Sequence, residues 1–373
     1  FSLLLCDSFR VSMTLEGQYM LTGLVMAGGN GERFWPLSTP NNPKQFLSIF
    51  DDLPLVRKAY DRLRRIMDQD KIFVSVNEIQ LKHLKEIIPE LHSDRIIIEP
   101  ARKDTAAAIG YGCMVISKYF DNPLIAVVDS DHIIKDEDAF LDTLNLAFME
   151  AEKGAIVTLG LIPNRPETAY GYIHCPNFKL GVPSISLGFK EKPNLEKAKE
   201  YFASKEYLWN SGMFIFRYET LMDAFKSYSN EHYITLLELS SLIKKTPDLR
   251  LLHSKVSSVF SHFASISIDY AIMEKARNIV VIPSSFGWYD VGSYSAFDEL
   301  YPKDSDGNIA VKAKCFKVDS NNNIVISETP DVEIGLLGVS DMVIVASKKK
   351  VLVCSKSRVP DLKLLMKKVN EDK

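Results

Sequence analysis

The chain has 373 residues, of which 46% are hydrophobic and 25% are charged, and its formal net charge is −3. This length and composition predict a globular protein with one large domain and a smaller one, and the slightly acidic balance argues against nucleic acid or an anionic membrane surface as a partner. No apolar run approaches the ~18 residues that span a bilayer, so we expect no membrane-spanning segment.

Residues 1–20 are predicted to be an N-terminal extension. They begin with Phe1, offer Met13 and Met20 as candidate starts, and lack the basic start and long apolar core of a secretory signal. The 5 cysteines of the chain are widely spaced and form no C-x-x-C pair, which favours buried free thiols in a reducing compartment. We therefore expect a cytoplasmic protein.

From Leu21 to about Phe286, short apolar runs alternate with helical patterns. This rhythm predicts a Rossmann-like α/β domain, with a mostly parallel sheet covered by helices on both faces. The runs predicted as strands are Leu21–Met26, Ile72–Val76, Ile96–Ile98, Leu124–Val128, Ile156–Leu161 and Ile279–Ile282. The stretches predicted as helices are Leu55–Met67, Gln80–Ile88, Thr105–Tyr119, Ala139–Lys153 and Leu195–Ala203. Ligands of such sheets bind beyond the carboxyl ends of the strands, so the loops at that edge are the candidate site.

The pattern changes after Tyr301. Residues Ile309–Cys354 are rich in Val, Ile and turn signals without a helical period, which predicts short strands, and Pro360–Val369 predicts a final amphipathic helix. We place a domain boundary near residue 300, which separates a domain of residues 21–300 from a small β domain of residues 301–373. We expect a chain cut after about Asp304 to fold without the β domain.

A glycine-rich loop with two cations follows the first strand. Three of the four residues Gly28–Gly31 are glycines, and Arg33 and Lys44 come soon after. Free N–H groups in such a loop, together with a guanidinium and an ammonium, suit a triphosphate. The loop is not a Walker loop, because no glycine in the chain precedes a lysine, and it is not a dinucleotide fingerprint, because Phe34 stands in place of the third glycine.

Carboxylates are predicted at the same edge of the sheet. Asp129, Asp131 and His132 directly follow the buried run Leu124–Val128, and Asp290 lies among glycines and aromatic residues. One or two carboxylates with substrate phosphate oxygens are the usual ligands of Mg²⁺, which makes a metal site the favoured interpretation for Asp129 and Asp131. The alternative there is an Asp-rich turn that caps the next helix. For Asp290, a metal ligand and a solvent-facing residue in a turn both stay open from the residues alone.

These motifs, in order, resemble the family of nucleotidyltransferases that join a nucleoside triphosphate to a sugar 1-phosphate. The loop wording G-G-x-G-x-R-F-W-P-L-S followed by P-K-Q-F is closest to the mannose 1-phosphate branch, and the resemblance runs from about Leu21 to the end of the chain. It implies transfer of GMP from GTP to α-D-mannose 1-phosphate, which gives GDP-mannose and pyrophosphate, with Mg²⁺ or Mn²⁺ as cofactor. It also implies that the C-terminal domain is a left-handed β-helix used in a homodimer.

The resemblance also assigns roles to residues, position by position. Metal binding falls to Asp131 and Asp290, the triphosphate to Arg33 and Lys44, and the sugar phosphate to Lys192 of Glu191-Lys192-Pro193. The nucleotide-binding residues implied are Gly28, Gly29, Asn30, Gly31, Glu99, Asp104 and Thr105. The sugar-binding residues implied are Gly171, Glu191, Asn210 and Gly212.

Some of these assignments have a chemical reason of their own. The carboxylate of Glu99 can accept from both N1–H and the 2-amino group of guanine, an edge that adenine lacks. Pro193 is expected to hold Lys192 in an extended conformation, so that its ammonium can be aimed. A sugar phosphate with a second pKa near ~6 is already dianionic at neutral pH, so no catalytic base is expected.

The chain departs from the family pattern at several positions. Asp129 replaces a proline, Asp104 an asparagine, Ala107 a proline and Ala169 a glycine, while Tyr294 replaces a tryptophan and is interpreted as a packing residue. Two alternatives stay open: the same chemistry on another hexose 1-phosphate, and a non-catalytic subunit that binds a sugar nucleotide. The complete set of phosphate-binding and metal-binding residues argues against the second.

Overall fold

The computed structural model describes residues 19–29, 32–39, 41–50, 52–244, 253–329 and 331–371. Most of the predicted extension, and Asn30 and Gly31 of the glycine loop, lie outside these ranges. Within them, no helix is long and apolar enough to cross a membrane.

The first part of the chain alternates strands and helices as predicted. Its strands are β1 Leu21–Met26, β2 Ile72–Asn77, β3 Ile96–Glu99, β4 Leu124–Asp129, β5 His132–Ile134, β6 Ile156–Leu161, β7 Tyr172–His174, β8 Ser184–Ile185, β9 Gly188–Lys190, β10 Tyr207–Arg217, β11 Ile279–Ser284 and β12 Trp288–Asp290. Its helices are α1 Leu55–Leu63, α2 Leu81–Ile87, α3 Asp104–Ile116, α4 Glu137–Glu152, α5 Leu195–Ser204, α6 Tyr218–Tyr228, α7 Asn230–Lys244, α8 His253–Phe260 and α9 Phe297–Leu300.

The central sheet has the order β3-β2-β1-β4-β10-β6-β11-β8, and β7 pairs with both β10 and β9. Strands β1 to β4 are parallel neighbours, as are β6 and β11, whereas β10 runs antiparallel between β4 and β6. This arrangement confirms the predicted α/β sheet with a parallel majority. The long strand β10 and the helices α6 to α8 were not predicted.

Helices cover both faces of the sheet, so alternate residues of each strand enter different hydrophobic cores. Leu24 faces one core with its neighbour Phe73, whereas Val25 faces the other core with Val74. Burial on both faces explains why β1 reads as a continuous apolar run rather than an alternating one.

The C-terminal part is built of short strands, as predicted, and ends in a helix. Its strands are β13 Ile309–Val311, β14 Lys314–Val318, β15 Ile324–Ser327, β16 Glu333–Leu337, β17 Met342–Ser347 and β18 Lys350–Ser355, and its helix is α10 Leu362–Glu371. Strands β13, β15 and β17 form one parallel layer, and β14 pairs with β16 in a second. Successive turns of chain therefore stack on one another. The buried side chain of Asn323 supports this stacking, because it donates to Asn308 Oδ1 at 2.9 Å.

A third core joins the C-terminal strands to the glycine-loop segment. Phe34 packs there with Val291, Tyr294, Ile326 and Leu362, all at most 3% exposed. The hydroxyl of Tyr294 donates to the carbonyl oxygen of Phe34 at 2.9 Å. Tyr294 is therefore a packing residue, as predicted. However, the β domain shares this core with the α/β part, and from this observation we expect, contrary to the expectation from the sequence, that the α/β part does not fold without it.

The cysteines that the structure describes are free thiols. Cys113 and Cys175 are buried, whereas Cys315 and Cys354 are partly exposed. The prediction of buried free thiols is confirmed for Cys113 and Cys175, whereas Cys315 and Cys354 are free but only partly buried, so burial was wrong for these two. Cys6 lies outside the described ranges.

A chain that ends at Asp304 should fail to form a stable native state. Truncation would expose Phe34, Tyr294 and Phe297, each of which is 0% exposed in the full chain. Leaving one such aromatic side chain in water costs ~2 kcal/mol, and a domain has only ~5–15 kcal/mol to lose. Near-UV circular dichroism and a thermal melt should show lost tertiary packing, with the full chain as control. A cooperative melt with a native near-UV spectrum would contradict the shared core.

Candidate functional site

The candidate site lies at the carboxyl edge of the central sheet, where β1 and β4 end side by side. Met26 is paired with Asp129 at the last position of the two strands. The chain then passes Asp131 and enters β5, whose antiparallel partner β12 places Asp290 opposite His132. This short ribbon brings together the two carboxylates that the sequence predicted for metal binding.

Lys44 connects these two carboxylates. Its ammonium Nζ lies 2.7 Å from Asp131 Oδ2 and 3.6 Å from Asp290 Oδ1, and it donates to the carbonyl oxygen of Val291 at 2.6 Å. Burial would lower the pKa of Lys44, but the two carboxylates outweigh burial and raise it. Burial also disfavours the ionised form of Asp131, yet the charge of Lys44 lowers the pKa of that carboxyl to about 2. Lys44 and Asp131 are therefore an ion pair at neutral pH.

The arrangement fits an open metal site. Asp131 and Asp290 already direct oxygens at one cation, the ammonium of Lys44. Among the described residues, no group of three or more His, Cys, Asp or Glu side chains is placed to hold a metal. A hard cation here would therefore take further ligands from substrate phosphate or water, as Mg²⁺ commonly does. Metal binding by these two residues stays a prediction.

Asp129, at the position of the family's proline, lies against the same cluster. Burial raises the pKa of Asp129 to about 7, although the nearby ring of His132 opposes the rise. His132 Nδ1 lies 3.7 Å from Asp129 Oδ2. Gly212 has a φ of 78°, and a Cβ at that position would come within 2.8 Å of the same oxygen. Gly212, predicted to contact the sugar, thus also makes room for Asp129.

Two glutamines hold the glycine loop. Gln45 Nε2 donates to the carbonyl oxygens of Ala27 at 2.6 Å and Gly29 at 2.9 Å, and Gln80 Nε2 donates to Gly29 at 3.0 Å. Gln80 is fully buried and was missed by sequence reasoning. A signal was present, because Gln80 is a polar residue shortly after β2, at the same edge of the sheet. Arg33 beyond the loop is exposed and free to reach a ligand.

Glu99 lies at the end of β3, beside the start of the glycine loop. Its Oε1 accepts from the hydroxyl of Ser75 at 2.7 Å, and burial raises the pKa of the carboxyl despite this hydrogen bond. A Cβ on Gly28 would lie 3.0 Å from that oxygen, so the glycine lets the backbone approach Glu99 closely. The structure therefore brings these two predicted nucleotide-binding residues together.

The other two predicted nucleotide-binding residues make local contacts. Asp104 has a φ of 64° and accepts from the backbone N–H of Thr105 at 2.7 Å. It is the first residue of α3, with Lys103 at the cap position. The Thr105 hydroxyl accepts from the N–H of Ile268 at 2.9 Å, which ties α3 to the segment before Asp269.

Three of the remaining predicted residues, Gly171, Glu191 and Asn210, belong to a polar group around β10. Asn210 Oδ1 accepts from the hydroxyl of Thr158 at 3.0 Å, and its Nδ2 donates to Asp269 Oδ1 at 3.2 Å. A Cβ on Gly171 would lie 2.5 Å from Glu191 Oε2, so a larger residue there would displace the carboxylate of Glu191. Burial, and then the charge of Glu191, raise the pKa of Asp269 to about 7. The predicted sugar-binding residues Gly171, Glu191 and Asn210 are thus neighbours.

Lys192 is the predicted residue whose backbone differs from expectation. Its φ is 44°, in the left-handed region, so the prediction of an extended conformation is wrong. The chain must turn between the end of β9 at Lys190 and the N-cap of α5 at Asn194, while Glu274 Oε1 holds the N–H of Glu191 at 3.0 Å. The turn is therefore made at Lys192. The side chain of Lys192 is 58% exposed and donates to Glu191 Oε1 at 2.6 Å.

A cavity of about 790 Å³ opens beside the carboxylate cluster. The residues that line it include Arg33, Asp290, the aromatic residues Tyr170 and Trp288, and Lys363 of α10. The ring centroids of Tyr170 and Trp288 are 5.2 Å apart in an edge-to-face contact. This volume is in the range of small-molecule sites.

Comparison with known proteins gives two family matches. Residues 22–307 match the family described as nucleotidyl transferase. Residues 314–369 match the MannoseP isomerase/GMP-like β-helix domain. The predicted β-helix is thereby confirmed, whereas its left-handed winding stays a prediction.

Similar proteins cover nearly the whole chain. Mannose-1-phosphate guanylyltransferase of Salmonella montevideo is 36% identical over 94% of this chain and 74% of the relative. The protein of the same description from Escherichia coli is 34% identical over 95% of this chain and 74% of the relative. A solved structure described as mannose-1-phosphate geranyltransferase from Thermus thermophilus has a TM-score of 0.82 and 30% identity, and covers 94% of this chain and 99% of its own.

The raised pKa of Asp269 predicts a pH-dependent stability. A carboxyl with a folded pKa of about 7 contributes stability that is full below its unfolded pKa near ~3.9 and is lost as pH rises through the folded value. Asp269→Asn keeps the shape and does not titrate. Its melting temperature relative to the unchanged protein should therefore rise between about pH 4 and about pH 8.

The control for this prediction is Glu191→Gln, which removes the largest charge that raises the pKa of Asp269. In that background the effect of Asp269→Asn should vary less with pH. A difference in melting temperature that stays constant over the whole range would show that Asp269 titrates at its ordinary pKa.

Proposed function

We propose that this chain, which belongs to the nucleotidyl transferase family, transfers GMP from GTP to α-D-mannose 1-phosphate and releases pyrophosphate. The observation that supports this most is the convergence of Lys44, Asp131 and Asp290 next to the glycine loop. The descriptions of its relatives supply the substrates. The reaction class is supported by the family match together with the site, and the hexose is supported by the descriptions of the relatives.

In the proposed reaction an oxygen of the mannose phosphate attacks the α-phosphorus of GTP. The new P–O bond forms as the bond from that phosphorus to the bridging oxygen of the β-phosphate breaks, and the electron pair leaves with pyrophosphate. The attacking phosphate is already dianionic near neutral pH, so no base is required. Catalysis then rests on aligning two anions and neutralising charge.

The cations of the site have separate tasks in this mechanism. Arg33 and Lys44 bind the triphosphate, and Lys192 binds the sugar phosphate. Asp131 and Asp290 would hold Mg²⁺, or Mn²⁺, which supplies charge neutralisation at the α-phosphate. Lys192 is suited to its task because most of its side chain is exposed while Glu191 orients the ammonium.

Separate groups of residues are proposed to bind the base and the sugar. Glu99 accepts from guanine, with Gly28, Gly29, Asn30, Gly31, Asp104 and Thr105 around the nucleotide. Gly171, Glu191, Asn210 and Gly212 surround the hexose. The support is the close approach of Gly28 to Glu99 and of Gly171 to Glu191, because a Cβ at either glycine would press on the carboxylate that is proposed to bind the ligand.

We also propose a cytoplasmic homodimer with an α/β domain of residues 21–300 and a dimerising β domain of residues 301–373. Phe316 and Val318 of β14 and Leu337 of β16 are 53%, 57% and 77% exposed. Val318 is paired with Leu337, so the three side chains lie near one another on the outer layer. An exposed apolar sheet face of this kind is typical of a surface covered in an oligomer.

The proposed activity is tested by pyrophosphate release from a panel of nucleoside triphosphates and hexose 1-phosphates. GTP with mannose 1-phosphate should exceed every other pair by at least ~10-fold in kcat/KM. Turnover of a different hexose 1-phosphate at a higher rate would change the substrate. No turnover of any pair, in the presence of Mg²⁺ or Mn²⁺, would overturn the proposal.

Asp131→Asn and Asp290→Asn should each lower kcat by at least ~100-fold, and the double variant should be little worse than either single variant. Residues that hold one ion act as a unit, because losing the ion removes the contribution of both. Asp129→Asn is the matched control and should be milder. Losses that multiply in the double variant would rule out a shared ion, and a larger loss for Asp129→Asn would move the metal site there.

Guanine should be preferred over adenine by at least ~100-fold, and Glu99→Gln should reduce that preference, because a carboxylate facing adenine is left unpaired. Ser75→Ala is a matched control: it removes the hydrogen bond to Glu99 but keeps the carboxylate. Competition kinetics with GTP and ATP measure the preference. If Glu99→Gln discriminates as well as the unchanged chain, the base is read elsewhere.

Phe316→Glu should convert the dimer to a monomer, since it places a charge on the exposed apolar face of β14. Leu180→Glu is the control, because Leu180 is 55% exposed but lies in the α/β part. Light scattering coupled to size exclusion distinguishes the states. An unchanged chain that is already monomeric would refute the dimer.

A further inference from the structure

The position of the Lys44 ammonium is unusual for a group that binds a triphosphate. Only 8% of its side chain is exposed, whereas 35% of Asp131 and 29% of Asp290 are exposed. Its hydrogen bond to the Val291 carbonyl oxygen completes a set of three oxygen partners. The ammonium is thus turned inward, and it neutralises part of the charge of the two carboxylates that are proposed to hold a metal.

A metal ion and this ammonium compete for the same oxygens. Mg²⁺ binds oxygen at ~2.0–2.1 Å, and a divalent charge at that distance from Asp131 Oδ2 would strongly repel an ammonium that lies 2.7 Å from the same atom. The pair of carboxylates carries two negative charges, which one divalent ion balances alone. Lys44 and the ion together would leave the cluster with excess positive charge.

We propose that Lys44 is an internal counter-ion of Asp131 and Asp290, and that a divalent cation binds this pair by displacing it. The proposal rests on the metal site of the proposed function. It adds competition between the metal ion and the Lys44 ammonium, which a metal site alone does not require. It reconciles the inward position of Lys44 with its expected contact to phosphate, because the displaced ammonium becomes available to the nucleotide.

The segment that carries Lys44 is anchored, so displacement of the ammonium would be a movement of its side chain alone. The next residue, Gln45, is 2% exposed and anchored to the carbonyl oxygens of Ala27 and Gly29. Lysine has several rotatable bonds, so the ammonium can leave the carboxylates without a shift of this segment. If the phosphates then hold the ammonium, nucleotide and metal each strengthen the binding of the other, since coupling between two sites is reciprocal.

The test is Mn²⁺ binding to the full chain without nucleotide, measured by the electron paramagnetic resonance signal of free Mn²⁺. Lys44→Met removes the competing charge and keeps a long side chain, so it should bind Mn²⁺ at least ~10-fold more tightly than the unchanged chain. Lys192→Met is the matched control, because it removes a charge that pairs with Glu191 instead, and its affinity should stay within about twofold. Equal or weaker Mn²⁺ binding by Lys44→Met would overturn the proposal.

Two further measurements keep this test interpretable. Mn²⁺ should raise the melting temperature of Lys44→Met by more than that of the unchanged chain, which also shows that the variant is folded. Asp131→Asn in the unchanged background separates the two hypotheses. If Asp131→Asn weakens Mn²⁺ binding and Lys44→Met does not strengthen it, the metal site is supported and the counter-ion proposal is wrong. If Asp131→Asn leaves Mn²⁺ binding unchanged, the proposed metal site itself fails, and the counter-ion with it.

Discussion

Two carboxylates close to one another are the electrostatic constraint on which the site depends. Asp131 follows a parallel strand and Asp290 lies in a separate ribbon, and both carboxylates are partly withdrawn from water, which makes an unbalanced charge costly. The ammonium of Lys44 meets this constraint from a third segment of the chain. The sheet, the ribbon and the loop after β1 must therefore all be in place before the site exists, which explains why the site is at their junction.

The sequence predicted the parts of the fold that depend on local patterns. Runs such as Ile156–Leu161 are buried on both faces and were located to the residue, because a short continuous apolar run bounded by polar residues is typical of a buried strand. The antiparallel strand β10 was not predicted as a unit, since its polar residues Asn210 and Ser211 interrupt the run. Both are buried in the structure, where Thr158 and Asp269 satisfy Asn210. A pattern of single residues carries no information about such partners.

For the candidate site as well, the sequence predicted what depends on neighbouring residues and not the contacts between distant parts of the chain. The sequence motifs identified Asp131, Asp290 and Lys44 as candidate site residues, but they gave no reason for the lysine side chain to face the carboxylates. That contact depends on the β5–β12 pairing, which joins positions far apart in the chain. Gln80 was missed for a similar reason: a buried amide becomes informative only when its acceptor, Gly29, is known. The prediction of an extended Lys192 was wrong because the restriction that Pro193 places on the backbone of the preceding residue is weaker than the need to turn the chain at this point.

The third core has a consequence for how such a chain can evolve. Phe34 next to Arg33, and Val291 next to Asp290, pack against Ile326 and Leu362 of the β domain. A β domain taken from another protein would bring side chains of different volume to these contacts, and close-packed interiors transmit such differences to their neighbours. We therefore expect an exchanged β domain to disturb the residues beside the site unless both sides of this core change together.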